Sequence, residues 1–237
     1  MDDASLIALI SEMVFFVILT LIIIFVLSYK NYKNSNYYKI TLNPFWYVFL
    51  DSGSYGEYKI YQHLQPLELL GCKFLFNLYI PKDNGKTSEI DAIMFHQKGL
   101  FVIESKNYGG WIFGNERNKQ WTQIFPAGRG RSHKEYFYNP IMQNLTHIRA
   151  LRKNIDATIP IYSVIAFSDK CTLKDVTVNS NVIVTYYSCL LDNMKIKLSE
   201  INNYSMSEEL LNKTYNKLIK YTNVDNNTKL QHIYNIR

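Results

Sequence analysis

Cysteine is scarce in this sequence, with three residues among 237, too few for a scaffold held by disulfides. Proline and glycine are also infrequent, at six and ten residues, which excludes collagen-like and proline-rich chains. No two cysteines stand at Cys-x-x-Cys spacing and the five histidines are dispersed, so the pattern argues against a zinc site. With 47% hydrophobic and 19% charged residues, the chain can form a core, and wholesale disorder is excluded.

Lysine and arginine are absent from the first 28 residues, where Asp2, Asp3 and Glu12 give a charge of −3. The remaining 209 residues hold 26 basic and 17 acidic side chains, a net charge of +9. This imbalance indicates an anionic partner, nucleic acid or a lipid surface, although ordinary basic enzymes share it.

Residues 6–28 form an apolar run in which only Ser11, Glu12, Thr20 and Ser28 are polar. A helix of this length reaches about 34 Å, enough to cross the hydrocarbon core of a bilayer. A cleaved signal peptide is the alternative, but it would need a basic start and small residues at the cleavage site. We therefore expect a retained transmembrane helix, with Glu12 at its outer interface or, alternatively, in an intramembrane contact.

Basic residues follow this run, at Lys30, Lys33 and Lys39. The preference of cytoplasmic loops for positive charge predicts that residues 1–5 form a short external N-terminus and that the rest is cytoplasmic. Residues 29–50 are expected to be a polar, aromatic juxtamembrane linker. Four of its aromatic side chains are expected at the lipid headgroups: Tyr29, Tyr32, Tyr37 and Tyr38.

The remaining chain alternates between helical and strand-like patterns. We expect helices over 57–70, 140–155 and 207–221, and strands over 73–80, 88–95, 100–105, 111–113, 120–125, 161–167 and 182–186. Gly53 and Gly56 are expected to precede the first helix as a break, and Asn139 to cap the second. The order of elements predicts an α/β domain with a mixed sheet over 51–168. Residues 169–237 are expected to form a C-terminal α/β extension with the amphipathic helix 207–221.

Two adjacent strands carry side chains that suggest chemistry. Glu104 and Lys106 share one face at the end of an apolar strand, where charges are costly without a role. If the strands pair, Asp91 lies beside Glu104, and a divalent cation would relieve the repulsion between the two carboxylates. Hard oxygen ligands suit Mg²⁺ or Mn²⁺, and Lys106 would then polarise the attacking water.

This pattern, Asp91 followed by Glu104-Ser105-Lys106, resembles the PD-(D/E)xK nuclease site, with Ile90 where the family signature has proline. The surroundings are similar to the NERD (nuclease-related) domain, through Gly53-x-x-Gly56-Glu57, Trp121 and Asn139-Pro140-x-x-Gln143-Asn144. The resemblance covers about residues 51–168. It implies a restriction-endonuclease-like fold, a mixed β-sheet flanked by helices, here preceded by a single transmembrane helix. It also implies metal-dependent nuclease activity.

The resemblance implies a role for each matching residue. Asp91 and Glu104 would be metal ligands, with the backbone carbonyl of Ser105 as a third oxygen. Lys106 would orient the attacking water. Two further polar residues would support the site: Glu57 beside the metal, and Gln143 by holding a phosphate or the Lys106 ammonium.

Each assignment has a structural alternative. Glu57 would be a favourable acid in a first helical turn, and Asp91 would form a buried salt bridge with Lys106. Gln143 would be an exposed helix residue or a capping partner of Asn139. Trp111 and Trp121 are expected to be core residues rather than stacking platforms for bases.

A basic loop is expected over 126–138, and three of its side chains are the candidates for phosphate contact: Arg129, Arg131 and Lys134. The alternative is a solvated basic loop. His133 lies in the same segment and is given no catalytic role.

Two functions follow from these patterns. The first is a membrane-anchored, divalent-metal-dependent nuclease that hydrolyses DNA in preference to RNA. We expect low sequence specificity because no groove-reading motif is visible. The second is a catalytically inactive, membrane-tethered binding or scaffold protein that retains the nuclease fold. Both place residues 6–28 in the lipid bilayer, and both leave open a homodimer and an unidentified protein partner.

Overall fold

The computed structural model describes residues 3–82, 85–126, 128, 132–222, 224–225, 228 and 234. The helices are α1 (Asp3–Asn34), α2 (Asn36–Thr41), α3 (Phe45–Leu50), α4 (Ser52–Leu64), α5 (Pro140–Arg152), α6 (Leu190–Glu200) and α7 (Glu208–Leu218). Short 3-10 helices cover Gln65–Leu70 and Ile219–Tyr221. The strands are β1 (Lys73–Pro81), β2 (Thr87–His96), β3 (Gly99–Lys106), β4 (Gly110–Asn115), β5 (Gln120–Pro126), β6 (Ser132–Tyr138), β7 (Ile161–Phe167), β8 (Cys171–Thr177) and β9 (Ile183–Tyr186).

Two mixed sheets are flanked by the helices. The first has the order β1-β2-β3-β7-β9, with β1, β2 and β3 antiparallel and β3, β7 and β9 parallel. The second has the order β6-β5-β4-β8. The predicted fold class, a restriction-endonuclease-like mixed sheet between helices behind an apolar N-terminal helix, is confirmed.

The first sheet is covered on both faces, which explains why β3 is an unbroken apolar run. One face packs against α4 and α6 through Ile60, Leu64 and Met194. The other face packs against α5 and α7 through Leu151 and Leu211. The ends of β3 therefore lie between α4 and α5, and this is where the predicted chemical groups are found.

The predicted start of the first long helix is wrong. The helix begins at Ser52 rather than at residue 57, because the Asp51 side chain caps it by accepting a hydrogen bond of 2.8 Å from the Ser54 backbone N–H. Gly53 and Gly56 are therefore helical residues and not a break before the helix. Helix α4 ends at Leu64, and the chain continues as a 3-10 helix that contains Pro66.

The predicted basic loop is also partly wrong, because Ser132–Tyr138 is strand β6, paired antiparallel with β5. Strand β8 and helix α6 were not predicted, since Cys171–Thr177 alternates weakly and lies at the edge of the second sheet. The other predicted strands match the observed ones to within a few residues at each end.

Helix α5 has its expected cap, because Asn139 Oδ1 accepts hydrogen bonds from the backbone of Ile141 and Met142. Its buried face is partly polar: Leu145 is exposed, whereas Asn144 and His147 are buried. Asn144 reaches the sheet by donating to the Val102 carbonyl, at 2.9 Å. The helix thus presents polar side chains to the end of β3.

Residues 29–50 form the end of α1 and the short helices α2 and α3, and they pack against the domain. Helix α1 continues to Asn34, and the Tyr32 and Tyr37 side chains are fully buried in the core cluster beside α4. The expectation that these two tyrosines lie at lipid headgroups is therefore wrong. Among the described residues, α1 is the one helix long and apolar enough to cross a membrane, over Ser5–Asn34, within which an 18-residue stretch has a mean hydropathy of 2.9.

Candidate active site

The candidate site lies where β2 and β3 separate. Their pairing runs from His96↔Gly99 to Ala92↔Ile103, after which β2 follows β1 and β3 follows β7. Asp91 is the first residue of β2 beyond this paired stretch. Its Oδ2 accepts a hydrogen bond of 2.7 Å from the Ser105 backbone N–H, and so replaces the backbone acceptor that β2 no longer offers.

Asn77 stands opposite Asp91 on the neighbouring strand, between the pairs Phe76↔Ala92 and Leu78↔Ile90. It has a φ of 53°, a left-handed conformation that asparagine tolerates better than most residues. Its Nδ2 donates to Glu57 Oε2 at 2.6 Å, and Tyr37 Oη donates to the same oxygen at 3.2 Å. The irregularity in β1 thus fixes the carboxylate that α4 contributes.

Glu104 and Lys106 form a buried ion pair, with 2.7 Å between Lys106 Nζ and Glu104 Oε1. Lys106 also donates to Gln143 Oε1 on α5, at 3.0 Å. The adjacent ammonium lowers the pKa of Glu104 against the opposing effect of burial, and Glu104 in turn raises the pKa of Lys106. Both side chains are therefore charged at neutral pH. The alternative pairing of Lys106 with Asp91 is not what the structure shows.

His147 belongs to the same cluster and was missed by the sequence analysis. It lies one helical turn after Gln143, with Nε2 3.2 Å from Glu104 Oε2 and Nδ1 2.7 Å from Ser88 Oγ. The contact with Glu104 has the distance of an ion pair but not the angles of a hydrogen bond. The sequence feature that could have identified His147 is its four-residue spacing from Gln143, which places both side chains on one face of α5.

The carboxylates exceed the positive charges around them. Burial, followed by the nearby Glu104 charge, raises the pKa of Asp91 well above its ordinary value. Burial, followed by Asp91 and then Glu89, raises the pKa of Glu57 in the same direction. Crowded acids of this kind are stabilised by a cation, and perturbed pKa values of this kind cluster at functional sites.

The side chains present fit a hard divalent cation. Glu104 Oε2 is buried without a hydrogen bond, although His147 Nε2 lies 3.2 Å away, so this carboxylate oxygen can accept a further ligand. Carboxylate and carbonyl oxygens are the ligands that Mg²⁺ and Mn²⁺ prefer. In the part of the chain that the structure describes, no group of three or more His, Cys, Asp or Glu side chains has the arrangement of a metal centre. A cation here would rest on two carboxylates together with backbone, water or phosphate oxygens.

Two cavities meet at Asp91, one lined by acidic residues alone among its charged groups and the other by both acids and lysines. On the α4 side, a cavity of about 260 Å³ is lined by the acids Asp51, Glu57, Glu89 and Asp91. On the α5 side, a cavity of about 500 Å³ also reaches Glu89 and Asp91. Its other lining residues include two lysines, an aromatic ring and the polar face of α5: Lys82, Lys86, Tyr138, Gln143, Thr146 and His147.

Of the three predicted phosphate contacts, the structure describes one. Arg129 and Arg131 are outside the described residues. Lys134 lies on β6, exposed, with its Nζ 4.8 Å from the centre of the Tyr136 ring, and it lines neither of the two cavities at Asp91. His133 is exposed, and its Nε2 lies 2.9 Å from Glu135 Oε1. In the described part of the chain, it makes no contact with the acidic cluster. Trp121 is buried as expected, whereas Trp111 is exposed on its strand.

Residues 52–168 match the family described as nuclease-related domain, or NERD. The chain is also similar to an uncharacterized protein of Bacillus anthracis, with 39% identity over 140 residues that cover 58% of this chain and 63% of the relative. The chain thus spans slightly less than two thirds of the length of the curated relative it matches. No solved structure matches the chain. The matched region runs from the start of α4 to just past β7 and contains all the clustered residues described above.

Proposed function

Because residues 52–168 belong to the nuclease-related domain family, we propose that this protein is a membrane-anchored, divalent-metal-dependent nuclease that hydrolyses phosphodiester bonds of DNA. One observation carries the proposal. Asp91, Glu104 and Lys106 converge where β2 and β3 separate, with the ammonium 2.7 Å from one carboxylate and a second carboxylate bound to the intervening backbone N–H. Two carboxylates and a lysine in this order suit hydrolysis at phosphorus.

Asp91 and Glu104 would hold the metal, with the Ser105 carbonyl as a further oxygen, and Mg²⁺ or Mn²⁺ are the ions we propose. When bound, such a cation lowers the pKa of a water molecule and offsets negative charge on the phosphate. Glu57 is held by Tyr37 and Asn77 beside Asp91, and a bound cation would favour the ionised form of its carboxyl group, whose pKa is raised by burial and by Asp91. Its buried carboxylate supports the site from α4.

Lys106 would orient the attacking water and stabilise the charge that builds up on the phosphate oxygens. Its ammonium is held between Glu104 and Gln143, at 2.7 and 3.0 Å, so that its position is set before substrate arrives. Preorganised donors of this kind contribute more than mobile ones because they need no rearrangement during the reaction. Gln143 is thus a positioning residue for the lysine, and His147 has the same relation to Glu104.

The two cavities suggest the path of the substrate. The acidic cavity on the α4 side repels a polyanion, whereas the cavity on the α5 side offers Lys82 and Lys86 to phosphates. Tyr138 lines the same cavity, is partly exposed, and provides a face on which a base can stack. Contacts to phosphates and to ring faces carry little sequence information, which agrees with low sequence specificity.

Helix α1 is the proposed anchor. Its apolar residues are exposed along its length, as expected of side chains that face lipid. Lys30 and Lys33 follow the apolar stretch, so that the proposed topology has the N-terminus outside and the catalytic domain in the cytoplasm.

Metal uptake by the full chain in detergent micelles tests the proposed site. We would titrate Mn²⁺ and Mg²⁺ by calorimetry, with Asp91→Asn and Glu104→Gln as site variants and Glu200→Gln as an exposed acidic control. We expect binding that both site variants lose and the control retains, followed by cleavage of single- or double-stranded DNA. Absence of metal uptake even with DNA present would contradict the proposal, since substrate phosphate can complete a weak site.

The inactive binding protein is kept as a second candidate because the Glu104–Lys106 pair and the Asp91–Ser105 hydrogen bond already satisfy much of the site without metal. The two candidates differ in their response to Mn²⁺. A metal site stabilises the fold by RT ln(1 + [L]/Kd), about 2.7 kcal/mol at a hundred times Kd, whereas an ion-pair relic gains nothing.

A further inference from the structure

A short helix beside the proposed anchor exposes an apolar surface. The α3 surface, as we call it, consists of Leu42, Trp46, Tyr47, Phe49 and Leu50. Trp46 is 61% exposed and Leu50 85% exposed, although both are large apolar residues. Single exposed apolar residues are common, but five within nine positions form a patch of the kind that marks an interaction site.

The opposite side of α3 is anchored in the core. Phe45 and Val48 are buried, and they belong to the cluster that contains Tyr32 and Tyr58. The exposed residues therefore do not result from a detached segment. The helix is held firmly, with its apolar outer surface presented to the surroundings.

The position of this surface is fixed by contact with α1. The Trp46 ring stacks on the Phe25 ring, with centroids 5.3 Å apart and an angle of 18° between the planes. Phe25 lies three residues before Ser28, the end of the apolar run, and this spacing corresponds to about 4.5 Å along a helix. With α1 across a bilayer, Trp46 therefore lies at the boundary between acyl chains and headgroups, the depth at which tryptophan and tyrosine are enriched.

We propose that the α3 surface is a membrane-docking site that inserts into the headgroup region of the cytoplasmic leaflet. The proposal rests on α1 being the membrane anchor, as in the proposed function, and does not depend on nuclease activity. Lys30, Lys33 and Lys39 lie on the adjoining segment and favour anionic phospholipids. A phospholipid surface thus matches both the apolar side chains and the neighbouring charges. A second copy of the chain is the alternative occupant, which the experiment below distinguishes.

Docking would set the position of the catalytic domain. Tyr47 on α3 and Asp51 directly after it line the acidic cavity, and Asp51 also caps the helix that carries Glu57. A bilayer that holds α3 therefore holds one wall of this cavity close to the membrane surface. The domain has one orientation relative to the lipid, instead of turning about a single anchor.

Tryptophan fluorescence of the full chain in vesicles tests this proposal. The vesicles would contain phosphatidylcholine and phosphatidylglycerol, with or without bromine on the acyl chains. The variants are Trp46→Phe and, as a matched exposed tryptophan on the second sheet, Trp111→Phe. We expect brominated lipid to quench the wild-type emission, Trp46→Phe to remove that quenching, and Trp111→Phe to leave it unchanged. Iodide in the water should quench Trp111 and spare Trp46.

The other outcomes overturn the proposal in distinguishable ways. If the protein floats with the vesicles but its Trp46 is quenched by iodide and not by brominated lipid, α1 is an anchor and α3 is not docked. A Trp46 that neither reagent quenches is covered by protein, as in a dimer. Chain that does not float lacks the anchor itself. A Leu50→Glu variant gives an independent reading, because it should float normally while the Trp46 emission shifts to longer wavelength.

Discussion

A side chain on Gly56 of α4 would collide with Ser105 of β3: a Cβ built on Gly56 lies 2.5 Å from the Ser105 hydroxyl and 2.8 Å from the Tyr187 hydroxyl. The close approach brings α4, and with it Glu57, against the strand that carries Glu104 and Lys106. Glycine is thus required here for space and not for its backbone conformation.

Replacement of this glycine tests the approach of the two elements. Gly56→Ala should destabilise the protein by about 1–3 kcal/mol through overpacking and should reduce cleavage by displacing Glu57. Gly53→Ala is the matched control on the same helix, because its Cβ would meet its nearest neighbour at 3.4 Å, an ordinary contact. Since alanine favours helix over glycine by about 1 kcal/mol, the control should melt at the same or a higher temperature. Equal behaviour of the two variants would contradict the steric interpretation.

The buried Glu104–Lys106 pair makes a second prediction, on stability. Lys106→Met should lower the free energy of unfolding by about 3–5 kcal/mol, because it leaves a buried carboxylate without its partner. The double variant Glu104→Gln/Lys106→Met should recover much of that loss, since no lone charge remains. Urea unfolding measures both, and cleavage should be absent from both. A double variant as unstable as Lys106→Met would show that lost packing, and not the unpaired charge, dominates.

Glu57 makes a prediction on pH. The pKa of Glu57 is raised in the folded state, so its carboxyl group ionises at a lower pH in the unfolded chain than in the folded one. The folded state therefore loses stability as pH rises from the unfolded pKa toward the folded pKa. The slope for one such group is about 1.4 kcal/mol per pH unit. Without metal, Glu57→Gln should therefore match wild type near pH 4 and exceed it at pH 8, measured by melting temperature.

Divalent metal should reverse this advantage. If the Glu57 carboxylate supports a bound cation, wild type gains more stability from Mn²⁺ than Glu57→Gln does at pH 8. A variant that gains as much as wild type would remove Glu57 from the metal site while leaving the pH prediction intact.

The substrate path makes a fourth prediction. Tyr138→Ala should weaken binding of single-stranded DNA by about 1–3 kcal/mol, the usual effect of losing one stacking ring. Tyr136→Ala is the control, because Tyr136 lies on the same strand and is exposed but does not line the cavity. Lys82→Ala should instead reduce the dependence of binding on salt. Fluorescence anisotropy at several salt concentrations measures both effects. An equal loss of DNA affinity in the two tyrosine variants would show that the DNA does not pass through this cavity.

Local patterns were sufficient for part of the site. The alternation of a strand places Glu104 and Lys106 on one face, and the short turn between β2 and β3 brings Asp91 beside them. These relations depend on residues close in sequence. They are the part of the site that sequence analysis predicted from local patterns, whereas the contact between Lys106 and Gln143 was one of two roles that the family resemblance implied for Gln143.

Other contacts join distant segments and left no local signal. Tyr37 and Asn77, which form hydrogen bonds with Glu57, lie 20 residues before and after it in the sequence. Ser88 and His147 are in contact although 59 positions separate them. The start of α4 was mispredicted because two glycines normally disfavour a helix, whereas tertiary packing requires one of them. Strand β6 was missed because its exposed polar residues resemble a loop until β5 is available to pair with it.

The end of α1 has a mechanical consequence. Because Tyr32 is buried among Tyr37, Phe45 and Tyr58, the last turns of the helix are built into the domain and there is no slack tether between them. With α1 in a bilayer, the domain moves only by lateral diffusion in the membrane and stays at a fixed distance from the membrane surface. Under the proposed function, cleavage would then be confined to a thin layer along the membrane surface, which nucleic acid would have to enter.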